Sequence, residues 1–393
     1  MSSQTVHKGL EGVVIDESEL SRVFGAEGRL VFRGYDVEDV AEHGDFEETL
    51  YLMWYGQLPT HSEYEAFRSA LAEQRDLPDR ITDTMLPTCA ELNHHPMSTL
   101  QSAVSMLAGA DPNTDADFES DREAVVAIGT SIVAKVATIT AAYHRVRDGL
   151  EPVAPRDDLG HAANFLYMLH GEEQPEPFVE AMDTALQLHV DHGTNASTFT
   201  TRVVASTLAN PYEAIAAGIG ALSGPLHGGA NQDVLVMLED LDESGLPLEE
   251  WVDQRLAGDD VVYGWGHRVY DVKDPRAKIL QADAQRLVEG DVGETKWFEL
   301  ARDVEQYLDS ETDFAEKGIA PNVDFYSGTV YTQMGIPTDL YTNLFTMSRA
   351  GGWIAHVLEQ YENNRIIRPR VEYVGETDRP WTSMDERAPD GSR

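Results

Sequence analysis

The chain has 393 residues, of which 69 are acidic and 29 basic, so it carries a formal charge of −40 at neutral pH. With 42% hydrophobic and 8% aromatic residues it can fill sizeable cores, which excludes a disordered acidic tail. The charge also excludes non-specific binding to phosphate backbones or anionic membranes, because both need basic patches.

Length suggests two or three domains. The single cysteine, Cys89, rules out an intrachain disulfide and a thiolate-built zinc site, and it fits a reducing, intracellular setting. Only six lysines occur (Lys8, Lys135, Lys273, Lys278, Lys296, Lys317), against 23 arginines. Asp and Glu are scattered along the whole chain, which argues against a mimic of nucleic acid and for adaptation to high salt, where the Debye length falls to about 3 Å. No run of 18 apolar residues exists. The most apolar stretch, Ala124 to Tyr143, is interrupted by polar side chains and reads as a buried helix. The N-terminus lacks a secretory pattern, so the expected location is the cytoplasm.

In chain order, the β-prone runs Gly12–Ile15 and Leu30–Phe32, separated by Gly25 and Gly28, suggest a small N-terminal β-hairpin. From Val37 the spacing becomes helical until Gly56 and Pro59 stop it. Helices are then expected over 62–75, 99–108, 123–148, 161–169, 177–189, 197–208, 212–222, 231–240, 275–287, 297–307, 324–334 and 339–360. The stretch 109–121 reads as an acidic surface loop, and 377–393 as a polar, frayed tail. The fold class is therefore mainly α, with no alternation of strand and helix and no repeat.

Four segments hold more Gly, His, Arg and Asp than helix packing requires. In HVDHGTNAS, His189 and His192 stand three apart. A metal pair there would need a third ligand and a carboxylate base, and no HExxH pattern occurs, so a helix end with a histidine on its last carbonyls is the plainer reading. In LSGPLHGGANQDVL, His227 precedes a helix start whose dipole disfavours imidazolium, leaving a neutral donor suited to a developing oxyanion; an incidental histidine on a Gly-rich turn is the alternative. In VYGWGHRVYDVKDPRAK, Gly264 and Gly266 let the backbone approach a ligand beside His267. Arg268, Lys273, Arg276 and Lys278 against Asp271 and Asp274 leave a local surplus of two positive charges, which suits an anion, unless surface carboxylates elsewhere pair with it. In APNVDFYSG, Asp324 lies at a predicted helix start, where an N-cap is the commonest role.

In this order the four segments resemble the citrate synthase family. GLEGV, FRGYDVEDV, EETLYLMWYGQLP, HPM, SRAGGW and RIIRPRVEY are similar to further motifs of that family, so the likeness covers nearly the whole chain. The resemblance implies a two-domain helical fold, with a large domain over 1–228 and 336–393 and a small domain over 229–335, working as a homodimer with its site between the domains. It implies condensation of acetyl-CoA with oxaloacetate and hydrolysis of the thioester to citrate and CoA. Matched motif by motif, it implies Asp324 as base, His227 as donor to the thioester oxygen and His267 as donor to the ketone. It implies His192, Arg276, Arg349 and Arg368 on oxaloacetate, the last across a dimer interface. Arg268 and Lys273 are expected on CoA, although some family members carry a basic residue where this chain has Asp271. No metal or other cofactor is implied, and no nucleic acid or membrane partner. The nearest rival is 2-methylcitrate synthase, which uses propionyl-CoA; more distant ones are a metal-dependent hydrolase built on His189, His192 and His227, and a non-catalytic acidic binding protein.

A net charge of −40 repels itself unless screened. Dilution from molar salt into low salt should therefore unfold the chain, followed as loss of the helical circular dichroism signal. A melting temperature independent of salt contradicts this.

Overall fold

The structure is a computed structural model that describes residues 6–258 and 260–387. The parts of the expected frayed tail beyond 387, and the first five residues, lie outside the described residues. Contacts divide the chain into a main unit, Ser18–Ile366, and a small unit made of the two termini, Met1–Glu17 and Ile367–Arg393. The terminal unit has 3-10 turns at Lys8–Leu10 and Met384–Glu386 and exposes Val14, Val371, Val374 and Trp381.

Among the described residues, the main unit holds sixteen α-helices and one small antiparallel sheet. The sheet has three strands: β1 Ser21–Phe24, β2 Arg29–Phe32 and β3 Tyr35–Asp36. Ser21 pairs with Phe32 and Phe24 with Arg29, while Val31 pairs with Asp36. The expected hairpin exists, but its first strand is SRVF rather than the 12–15 run, and a third strand extends it. Burial explains the choice: Leu20, Leu30 and Phe32 are fully buried, whereas Val13 and Val14 are exposed.

The expected helix after Val37 is two helices, Val37–His43 and Phe46–Tyr55. Gly44 ends the first, and the Asp45 carboxylate caps the second by accepting from the Glu48 N–H. Sequence periodicity missed the π-helical turn Arg80–Met85 leading into Leu86–Glu91, and also Leu248–Ala257. The latter buries only Val252, so it has almost no apolar stripe to read. The 109–121 stretch is not all surface loop, since it forms 3-10 turns and buries Phe118, whose ring stacks on Tyr361 at 5.5 Å.

At the centre lies Tyr341–Glu362, packed against the long helix Arg122–Arg147. The latter is apolar enough to cross a bilayer, but 89% of its most apolar window is buried inside the fold, which makes it a core helix. Close approach around Tyr341–Glu362 depends on paired glycines. A Cβ on Gly351 would lie 2.0 Å from Leu50 Cδ2, and one on Gly352 would lie 1.9 Å from the carbonyl oxygen of Val190. The Trp54 indole N–H donates to the Gly351 carbonyl at 2.8 Å, closing the same contact.

Because the atom facing Gly352 belongs to a backbone, it cannot swing aside. Gly352→Ala should destabilise the fold by about 1 to 3 kcal/mol, seen as a lower thermal midpoint at constant salt; an unchanged midpoint contradicts the packing.

Candidate functional site

Two distant segments are stitched together to form the site. Gly266 N–H donates to the Ala320 carbonyl at 2.9 Å, Asn322 N–H to Gly264 at 2.8 Å, and the Asn322 side-chain amide to Gly266 at 2.9 Å. Asp274 N–H adds a bond to Pro321 at 3.1 Å. Gly264 and Gly266 both have positive φ, and a Cβ on Gly264 would sit 2.8 Å from Phe325. This lacing brings the loop of His267 beside the helix Val323–Gln333 that carries Asp324. Asp324 is not the N-cap. Asn322 takes that place and accepts from the Asp324 N–H at 3.0 Å, so the Asp324 carboxylate is left for other work.

The two candidate imidazoles are held in opposite tautomers. His267 Nδ1 accepts from the N–H groups of Val269 (3.0 Å) and Tyr270 (3.2 Å), which puts its proton on Nε2. His227 Nε2 accepts from the Ser197 N–H at 3.2 Å and lies 2.7 Å from the Ser197 hydroxyl, which puts its proton on Nδ1. Burial pushes both rings down to about 4, helped by the Arg349 charge at His227 and the Arg276 charge at His267. Both are neutral donors. The helix N-terminus that faces His227 is that of Ala196–Ala205, not the expected one that follows it in sequence.

His192 completes an aromatic cluster. Its ring lies 5.2 Å from that of His267, and its Nε2 lies 3.3 Å from the Tyr270 hydroxyl. Burial, then Arg276, holds it well below the usual histidine range. His189 and His192 do not share a helical face, because Glu176–His189 ends at His189, whose Nδ1 donates to the Ala185 carbonyl at 2.7 Å.

Two arginines lie in the interior. Arg276, 3% exposed, forks onto the fully buried Asp274 through Nε (3.1 Å) and Nη2 (2.7 Å). Arg349, 1% exposed, donates Nε to the His189 carbonyl at 2.7 Å and leaves Nη1 buried without a partner among the described residues. Its guanidinium stands 4.8 Å over the Phe345 ring, which also contacts His227 and His189. Burial lowers Arg349 to about 10. The half-buried Asp324 carboxyl is raised to about 6 by burial, with Arg276 and Arg349 pulling it back down. Asp324 thus lies in the field of both cations, His227 in that of Arg349 and His267 in that of Arg276.

His192, His267 and Asp274 also place ligand atoms within 4.8 Å of one another, a spacing a metal could use. The donors do not suit one. Asp274 is consumed by Arg276 and by capping its own helix, and His267 Nδ1 already accepts two N–H bonds.

The remaining expected residues fare unevenly. Arg268 is exposed and makes no ion pair among the described residues. Lys273 is not available for an anion, since its ammonium is bonded to Glu305 and to Gln281 at 2.6 Å above the Tyr326 ring. Arg368 is exposed and belongs to the terminal unit. Sequence reasoning missed Ser197, Tyr270, Asp274 and Phe345. Only Asp274 left a signal, as a cap before Pro275 at a helix start.

Residues 9–370 match a family model described as "Citrate synthase, C-terminal domain". A citrate synthase of Haloferax volcanii is 50% identical over 98% of this chain and 100% of its own length. A 2-methylcitrate synthase of Corynebacterium glutamicum is 36% identical over 98% and 100%. The solved citrate synthase of Thermoplasma acidophilum, in a ternary complex with carboxymethyl coenzyme A and oxaloacetate, superposes with a TM-score of 0.87 at 32% identity, over 98% and 100% of the two chains.

A reaction that needs Asp324 ionised should rise as pH is taken up through about 6 and level off above it. A rate profile that stays flat across that range contradicts the raised carboxyl.

Proposed function

Since this chain belongs to the citrate synthase family, we propose that the cleft around Arg276 and Arg349 is where its reaction takes place. The reaction is condensation of acetyl-CoA with oxaloacetate, followed by hydrolysis to citrate and CoA. The full-length likeness to a citrate synthase at 50% identity favours it over the propionyl-CoA reaction, whose relative stands at 36%.

The hard step is to take a proton from a methyl carbon. A carboxylate is a weak base for so weak an acid, so the enolate oxygen must be stabilised as it forms. Asp324 takes the proton, while the His227 Nδ1–H donates to the thioester oxygen. The enol carbon then attacks the ketone of oxaloacetate, whose oxygen gains charge and accepts from the His267 Nε2–H. Water then breaks the C–S bond, releasing the CoA thiol. The observation that carries this reading is the pair of neutral imidazoles in opposite tautomers, each fixed by backbone N–H groups. Neutral donors with committed protons suit two oxyanions that form in turn, because no proton need be rearranged before either develops.

Arg276 and Arg349, with His192, hold the oxaloacetate carboxylates, and the unpartnered Nη1 of Arg349 finds its acceptor there. Arg368 adds a clamp from the second subunit of a homodimer. Arg268, exposed and unpaired among the described residues, meets the CoA phosphates, and Lys273 is withdrawn from that role by Glu305. Residues 229–335 form the small domain, hinged near Gly228 and Gly229, so that closure excludes water as the site is completed. The enzyme works in a salt-rich cytoplasm without metal or further cofactor.

Asp324→Asn should cut condensation by at least about a hundredfold while oxaloacetate binding, read by calorimetry, is retained. Turnover near that of the unaltered chain would remove Asp324 as the base. In the same assay acetyl-CoA should be turned over faster than propionyl-CoA at saturating oxaloacetate, and the reverse order would assign the chain to the propionyl reaction.

A further inference from the structure

Ser21, at the start of β1, and Gly25, the first residue of the turn that follows β1, both touch the loops that carry the site histidines. At the root, the Ser21 hydroxyl donates to Asp191 Oδ2 and accepts from the Gly193 N–H at 3.2 Å. Asp191 Oδ2 itself accepts from the same N–H at 3.1 Å, so Ser21 and Asp191 together pin the backbone on both sides of His192. Asp191 is fully buried and anchored further, because its Oδ1 accepts from His356 Nε2 at 3.0 Å. That imidazole is oriented by Arg202, whose Nη1 donates to its Nδ1 at 3.2 Å.

At the tip, the Gly25 carbonyl accepts from the Asp271 N–H at 3.3 Å. Gly25 also lies so close to the next loop that a Cβ there would be 1.8 Å from the Val269 carbonyl oxygen. Val269 and Tyr270 are the residues whose N–H groups commit the His267 proton to Nε2. Gly28 makes a second close approach, with a Cβ position 2.7 Å from Val272 Cγ2.

We propose that β1 is a strut that sets the separation of the two substrate imidazoles, with Ser21 as the positioning residue for His192 and Gly25 as the positioning residue for His267. Four residues of strand span roughly 13 Å at about 3.3 Å each, and a strand paired along its whole length with β2 cannot stretch or shorten. Loops far apart in sequence, 191–193 and 267–271, are thereby referred to one rigid element. The rings they carry meet at 5.2 Å, and the Tyr270 hydroxyl bridges to His192 from the loop that Gly25 supports. Packing alone would account for Gly25, but not for a hydroxyl at the start of the strand that leads into it, bonded to both the carboxylate and the N–H that flank His192. This inference rests on the reading of His192 and His267 as oxaloacetate contacts.

The test is a pair of double-mutant cycles, assayed in molar salt with folding followed by circular dichroism. Ser21→Ala should raise the oxaloacetate KM about tenfold, the effect of losing a hydrogen bond to a charged group, with little change in kcat. Gly25→Ala should lower kcat about tenfold or more as the Val269 carbonyl is pushed away. Combined with His192→Gln and His267→Gln respectively, each should add no further loss, because its effect passes through that imidazole. Losses that multiply in either cycle, or single variants that turn over like the unaltered chain, would overturn the strut. If Gly25→Ala does not fold, the Ser21 cycle decides alone. A His267→Gln chain with full turnover would instead strike the site reading itself, and the strut with it, whereas a crippled His267→Gln chain beside an unaffected Gly25→Ala one would strike the strut only.

Discussion

Two guanidiniums held out of water beside one carboxyl set the character of this site. A buried cation is costly unless it is matched, and the two arginines are matched differently. Arg276 is paired with Asp274 through a fork, and its charge is local and permanent. Arg349 is matched only in part, by the His189 carbonyl and the face of Phe345, and retains an unpartnered Nη1. A folded chain that keeps such a group is prepared for an anion, because the cost of burial is already met before the anion arrives.

The same two charges govern the surrounding titratable groups. They reinforce burial in keeping His192, His227 and His267 neutral, and they oppose burial at Asp324. Without them the carboxyl would rise further, and with stronger coupling it would fall back toward the usual carboxylate range. Positive field of this kind is short-ranged, which suits a chain at −40. Long-range attraction of an anion to such a surface is unfavourable, and high salt removes that repulsion while sparing contacts at hydrogen-bond distance.

Much of the helical architecture could be read from apolar spacing and from Gly and Pro stops. The misreadings share a cause. Leu248–Ala257 buries one side chain and so carries no stripe, the break at Gly44 is shorter than the resolution of a periodic pattern, and β1 is an unremarkable SRVF whose strand identity comes from pairing with β2. Each was decided by a partner rather than by local preference. Asp324 shows the same thing in the site, since the cap expected of it belongs to Asn322 two residues earlier.

The sequence by itself determined the class of fold, the family, and which side chains are chemically able to do the work: His227, His267, Asp324 and the arginines lie in motifs whose order needs no coordinates. Tertiary structure alone decided their states. Which nitrogen of each imidazole bears the proton depends on N–H groups of Ser197, Val269 and Tyr270, and whether Lys273 is free depends on Glu305, 32 residues away. Likewise the nearness of Asp324 to His267 depends on backbone bonds between 264–266 and 320–322. Residue type fixes what a group can donate or accept, whereas the partner that settles it is brought there only when separate parts of the chain meet.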